Sequence, residues 1–224
     1  MKIYHGANFD KLDVILSCGL NPRGKKKSVW SNAPSHPNMV YLSTAYPFYF
    51  SMAAQSKKNF RKGLVFEIDM DMLDKKLLYP DEDFLWYALK MKNPTLKLEQ
   101  IRKDLWRYQQ NWQLCLDNFG NIAYMGRINP ECFTRYCVVN FDIQKEVGLS
   151  VLDPTITPMN YKFKGQFYKD LVSWFFGDKK LLPHIEEEQK WKTLEGLPVP
   201  NSQEKIDFWT KISENREGIE VVEL

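Results

Sequence analysis

The sequence predicts an α+β fold, and three observations carry that reading. Residues 39–43 (MVYLS) and 63–70 (GLVFEIDM) have the apolar alternation of strands. Leu98, Ile101, Leu105, Tyr108, Trp112 and Cys115 recur at intervals of three and four, the pattern of one amphipathic helix over 96–116. Strands and helices also follow one another irregularly, without the βαβ alternation that builds a parallel sheet.

Taken in order, residues 2–5 read as a short strand. Residues 9–18 form a helix with Leu12, Ile15 and Leu16 on one face, Asn8 or Asp10 available to cap it, and Gly19 suited to a left-handed stop. Residues 21–38, rich in Pro, Gly, Ser and Lys, are a loop long enough to be functional. After the strand 39–43 comes a helix over 45–58 that can start near Pro47, because proline is tolerated in a first turn. The YPDED stretch at 79–83 reads as a turn whose adjacent carboxylates are solvated or capping, followed by a helix over 84–92. Residues 121–125 and 135–141 read as strands around an INPE turn. Residues 153–160 look like a linker, 167–176 like an aromatic helix, and the remainder like a charged tail. Trp174, Phe175 and Phe176 are expected to be buried. Two units result: residues 1–144, and a mostly helical extension, 145–224, packed on the first or binding a partner.

Composition bounds the function. The chain has 224 residues, 44% of them apolar and 14% aromatic, enough for a sizeable core. A net charge of +3 is too balanced to argue for nucleic acid by itself. The four cysteines have no metal-ligand spacing, so reduced thiols and no metal are expected. No apolar run approaches the ~18 residues of a membrane span, and no secretory signal is read. The expectation is a cytoplasmic protein without a membrane partner.

Three segments carry a resemblance. IYHGANFDKLDVILSCGLNP is similar to a strand ending in His-Gly followed by a helix closing on Gly-Leu. VYLSTAYPFYFSMAA is similar to a strand leading into an alanine-rich helix. FGNIAYMGRINPECF is similar to a late strand entering an Ile-Pro-Pro turn. In this order they resemble the histidine-tyrosine branch of the ADP-ribosyltransferase superfamily. That branch includes poly- and mono-ADP-ribosyltransferases, DNA-targeting toxins and RNA 2'-phosphotransferases. The resemblance covers residues 1 to about 142. It implies a split, mixed β-sheet core with flanking helices, and NAD+ as co-substrate.

It also implies roles. His5 holds ribose hydroxyls, and Gly6 lets the backbone approach the nicotinamide. Tyr41 stacks on that ring, so that His5 and Tyr41 frame one cleft, and Ser43 reaches the carboxamide. Tyr46, Tyr49 or Phe50 closes the other side of the ring. Arg23, with Lys25, Lys26 and Lys27, lies near the pyrophosphate, although such a basic run is equally at home in a solvated loop. Arg127 is a candidate for substrate contact. Asn121 stands where relatives often carry a catalytic glutamate; it can hydrogen-bond but brings no negative charge. That substitution argues for single transfer rather than chain elongation, with Glu131 a less favoured replacement acid.

The function expected is mono-ADP-ribosyl transfer to a macromolecule, nucleic acid ahead of protein, in a toxin, antiphage or phage role that leaves room for an antitoxin or regulatory partner. The rivals are a catalytically inactive NAD- or ADP-ribose-binding module and an RNA 2'-phosphotransferase-like enzyme. The second is disfavoured because the chain begins at the histidine strand.

Overall fold

Apolar side chains on both faces of residues 62–69 make that segment the strand around which the sheet assembles. The computed structural model describes residues 1–26, 34–55, 61–152, 158–181, 185–194, 196–199 and 201–224, and of 158–160, 186–188 and 191 the backbone alone. Its strands are β1 (Lys2–Asn8), β2 (Met39–Ser43), β3 (Lys62–Asp69), β4 (Leu78–Pro80), β5 (Asn121–Met125), β6 (Phe133–Asn140) and β7 (Ile219–Glu223). They form one sheet in the order β4-β5-β2-β1-β3-β6-β7. The protein is α+β, as the sequence predicts. Every pairing between these strands is antiparallel, which corrects the expectation of a mixed sheet.

The sheet is nevertheless split. β1 runs alongside β3 from Lys2↔Asp69 to Asn8↔Gly63, but meets β2 only at Tyr4↔Ser43. β4-β5-β2 and β1-β3-β6-β7 are thus two well-paired halves hinged at one residue pair.

Helix α1 (Leu12–Cys18) follows a short 3-10 turn over Phe9–Lys11, and of the two caps considered it is Asn8 that accepts the Asp10 N–H, at 2.8 Å. Gly19 ends α1 with φ 71°, but ψ is −174°, extended rather than left-handed helical. The chain there presses against residue 128: a Cβ on Gly19 would lie 2.2 Å from the Ile128 carbonyl oxygen, where Leu20 and Ile128 form a bridge. Helix α2 (Pro47–Ala53) begins at Pro47 as expected and is shorter than predicted; residues 56–60 lie outside the described residues. Buried Ser51 on α2 donates to the Ala7 carbonyl and accepts the Leu64 N–H, pinning the helix across β1 and β3.

Two predicted elements are corrected. Residues 79–83 are not a free turn. Tyr79 and Pro80 belong to edge strand β4, where proline is tolerated, and Asp81 caps α3 (Glu82–Lys90) by accepting the Asp83 N–H. The long helix over 96–116 is broken into α4 (Leu98–Lys103), a 3-10 segment (Leu105–Asn111) and α5 (Trp112–Phe119). Three residues per turn in the middle segment re-phase the apolar stripe. Leu105 stays in the core while Trp106 is exposed.

Helix α6 (Lys145–Leu152) follows β6, and α7 (Pro158–Phe175) starts well before the predicted 167; of the expected linker, 153–157 lie outside the described residues. α8 (Ile185–Leu194) and α9 (Ser202–Glu214) complete the helices. Trp174, Phe175 and Phe176 are buried, as expected, in a cluster with Phe48, Val65 and Cys137. The tail is more than charged surface, since its last strand, β7, pairs with β6 from Val139↔Ile219 to Arg135↔Glu223. Buried Arg135 fixes this junction. It binds Glu67 on β3, Asp178 beyond α7 and the Phe176 carbonyl.

Candidate functional site

Of the sequence-predicted residues, His5 and Gly6 lie on β1 and Tyr41 and Ser43 on β2, the two strands that border the split. Nδ1 of His5 lies 2.8 Å from the Tyr41 carbonyl oxygen. A carbonyl can only accept, so Nδ1 carries the proton and the lone pair of the neutral ring resides on Nε2. Burial, partly offset by the Tyr41 carbonyl, holds the imidazole below its ordinary pKa and favours that neutral form. His5 therefore offers a sugar hydroxyl an acceptor at Nε2, where the sequence suggested a donor.

The rings of His5 and Tyr41 do not frame one cleft, which corrects the sequence expectation. Ile3 and Ala7, flanking His5, pack with Val40 and Leu42, whereas Tyr41 packs with Met39 and Ala123 in a separate cluster. Alternation along the strands thus turns the two side chains to different faces, because the single Tyr4↔Ser43 pair sets His5 one residue out of step with Tyr41. The phenol of Tyr41 donates to Glu82 Oε1 at 2.5 Å and accepts the His36 N–H at 2.7 Å.

Gly6 serves a different close approach from the one expected. A Cβ there would sit 1.9 Å from the Pro47 carbonyl oxygen and 2.6 Å from the Ser51 nitrogen. On that side of β1 the glycine makes room for the backbone of α2 rather than for a ligand ring.

Ser43 and Asn121 are register partners on β2 and β5. The Ser43 hydroxyl donates to the Gly120 carbonyl at 3.1 Å and accepts the N–H groups of Ala45 and Tyr46 at 3.2 and 2.9 Å, capping the entry to α2. Beside it the Asn121 side chain is 1% exposed, and neither amide atom has a hydrogen-bond partner.

Glu82 is the residue that sequence reasoning missed. It reads as one of three carboxylates in a solvated turn, yet it is fully buried in the first turn of α3. Besides Tyr41, its Oε1 accepts the His36 N–H at 3.2 Å and lies 3.3 Å from the Arg102 guanidinium on α4, while Oε2 is buried without a partner. The helix dipole favours a carboxylate there. No sequence signal links residues 41, 82 and 102; only the fold brings them together. Burial first, then the neighbouring carboxylates, push the Asp81 carboxyl well above its usual range. The same causes raise Asp83 to about 6 despite its ion pair with Arg102 at 3.2 Å.

The remaining candidates lie on other elements. Arg23 ties its own loop together through the carbonyls of Ser35, Gly24 and Lys26, and its charge acts on His36 beside Glu82. Lys25 and Lys26 are exposed, and Lys27 lies outside the described residues. Tyr49 is half-buried on α2 against Phe50, while Tyr46 is buried against Tyr168. Arg127 and Glu131 are exposed past β5. A surface cavity of about 560 Å³ is lined by Phe163, Gln189, Lys190, Thr193 and Leu194, none of them a predicted site residue. Among the described residues no group of three His, Cys, Asp or Glu side chains could hold a metal ion, and no helix is long and apolar enough to cross a membrane.

No protein-family profile matches the chain, and no curated protein does. Among solved structures, it is similar to EcPltA, at 10% identity and a TM-score of 0.37 over 64% of this chain and 78% of that one. It is also similar to CARDS toxin in nicked and full-length forms, at 12% and 13% identity and TM-scores of 0.35 and 0.34 over 62% of this chain. The chain spans about a quarter of either CARDS toxin form, 25% and 24%. At these values the likenesses carry no functional inference.

Proposed function

We propose that the protein is a mono-ADP-ribosyltransferase, moving ADP-ribose from NAD+ to a macromolecular acceptor, with nucleic acid favoured over protein and a toxin or antiphage role. The observation that supports this reading is the split of the sheet at β1 and β2, with the family-like His5 and Ser43 on the two strands that border it and Asn121 next to Ser43 on β5. Breaking the bond from nicotinamide to ribose develops positive charge at the ribose carbon, so the protein has to orient the sugar and exclude water more than supply covalent chemistry. Nε2 of His5 accepts a ribose hydroxyl. Tyr41, on the opposite face of the sheet with its phenol fixed by Glu82 and His36, offers a ring to the base at the other end of the dinucleotide from that ribose. Arg23 on its tied loop, with exposed Lys25 and Lys26 beside it, supplies positive charge toward the pyrophosphate. With Asn121 where relatives carry an acid, the acceptor has to be nucleophilic already, which fits single transfer.

The test is incubation with NAD+ labelled in its adenylate half, together with separate pools of DNA, RNA and protein. Label on one pool is the expected result. Free ADP-ribose alone points to a hydrolase and overturns transfer.

A second reading is a binding module that holds NAD+ or ADP-ribose without turning it over. Asn121 favours it, since a buried neutral amide cannot stabilise a developing cation as a carboxylate does. Measurable NAD+ binding with neither label transfer nor free ADP-ribose would select this reading.

A further inference from the structure

We infer that Asn121 is a specificity-determining residue, whose amide pairs with a donor-acceptor edge of the bound dinucleotide: a primary carboxamide or an aminopurine edge. The inference rests on the NAD+ reading above. It starts from an anomaly. The Asn121 side chain is 1% exposed, and both Oδ1 and Nδ2 lack a partner. Buried polar groups are nearly always hydrogen-bonded, and leaving them unpaired destabilises the fold. Elsewhere the same chain satisfies such a group. Gln144, 3% exposed, donates its amide to the Asn215 and Glu217 carbonyls at 3.0 and 2.7 Å.

The nearest candidate partner is already engaged. Ser43, opposite Asn121 in register, has its hydroxyl between the Gly120 carbonyl and the Ala45 and Tyr46 N–H groups. Ser43 therefore does not reach a carboxamide as the sequence suggested, and its neighbour across the ladder has both hydrogen-bonding atoms unused. Tyr41 lies two residues from Ser43 on β2 and so shares its face, with Asn121 diagonal to it at about 7–8 Å in an antiparallel pair. A ring stacked on Tyr41 would have the Asn121 amide as its diagonal neighbour on the same face. An asparagine amide presents one donor beside one acceptor, and its complement is a group that does the same. NAD+ has two: the nicotinamide carboxamide and the adenine edge. A glutamate at this position would accept from a sugar hydroxyl but would lack the donor half of the pairing.

The experiment compares the wild-type full chain with N121L, which keeps the branching of asparagine without its polar atoms, and with the smaller N121A. Calorimetric dissociation constants are measured for NAD+, nicotinic acid adenine dinucleotide and nicotinamide hypoxanthine dinucleotide. Each analogue replaces one amino group by oxygen, so the two distinguish the ends of the dinucleotide. The wild-type chain is expected to bind one analogue at least roughly tenfold more weakly than NAD+, the loss of about one hydrogen bond. Both variants are expected to weaken NAD+ binding by a similar factor and to lose the discrimination. Equal affinity of the wild-type chain for all three dinucleotides, or discrimination retained in the variants, overturns this inference alone. Failure of the wild-type chain to bind any of the three overturns the NAD+ reading and this inference with it.

Discussion

Tyr41 donates its phenolic hydrogen to Glu82, a carboxylate with no solvent exposure, across 2.5 Å. The bond joins the middle of β2 to the first turn of α3, and Arg102 on α4 completes it at 3.3 Å. Removing either partner leaves a buried polar group without its complement. Tyr41→Phe is expected to destabilise the fold by about 1–3 kcal/mol. Glu82→Gln, which leaves Arg102 with Asp83 as its remaining counter-ion, is expected to cost about 1–3 kcal/mol. Denaturant melts of the two single variants and the double variant check this, and strict additivity in the cycle would show that the two side chains do not interact.

Gly6 is the point where α2 touches β1. Gly6→Ala places a carbon against the Pro47 carbonyl and the Ser51 nitrogen, both backbone atoms that cannot rotate away. The expected destabilisation is at least the ~1–3 kcal/mol of overpacking, seen as a lowered melting temperature. A melt identical to wild type would contradict the packing described here.

Asp83 gives the fold a pH dependence. Its carboxyl is raised from 3.8 to about 6, so the folded state holds the proton more tightly than the unfolded chain does. The stabilising protonated form is fully present below about 3.8, and its contribution is lost as the pH rises through about 6. Stability measured between pH 4 and 6.5 is expected to decline in the wild-type chain, and to decline less in Asp83→Asn. Parallel profiles for the two proteins would refute the assignment.

Asp178 acts with the opposite sign. The Arg135 guanidinium holds its carboxyl below the usual 3.8, so its stabilisation is present above that value and fades as the pH falls through the lowered folded pKa. Asp178→Asn is expected to flatten the acid limb of the stability profile below about pH 4, leaving the neutral plateau lower. An unchanged acid limb would separate Asp178 from the fold's acid sensitivity.

His5 sets the acid limb of ligand binding. Its pKa lies below the ordinary 6.5, so the neutral ring with an acceptor at Nε2 dominates at neutral pH. NAD+ affinity is expected to hold from neutral pH down to below 6.5 and then fall as the ring protonates. Imidazole resonances followed by NMR alongside binding check the link, and a histidine that titrates above 6.5 would refute it.

What could be read from the sequence was local. The alternation in residues 39–43 and 63–70 fixed β2 and β3, the Asn8 cap and Gly19 bounded α1, and Pro47 marked the start of α2, because these signals depend on backbone preferences within a few residues. The apolar stripe of 96–116 misled, since periodicity does not register the 3-10 segment between two short helices. Register was not legible either. One residue of offset between β1 and β2 decides whether His5 and Tyr41 face each other, and that offset depends on the Tyr4↔Ser43 pair across the split. Glu82 read as a solvated acid because nothing within its own stretch of chain reveals that α3 turns it toward Tyr41 and Arg102. By itself the sequence determined most of β1, β2, β3, β5 and β6 and the positions of α1 and α2, and that His5, Tyr41 and Asn121 lie on strands. Tertiary structure alone decided which side chains meet, because facing, burial and unsatisfied hydrogen bonds arise only when distant segments are brought against one another.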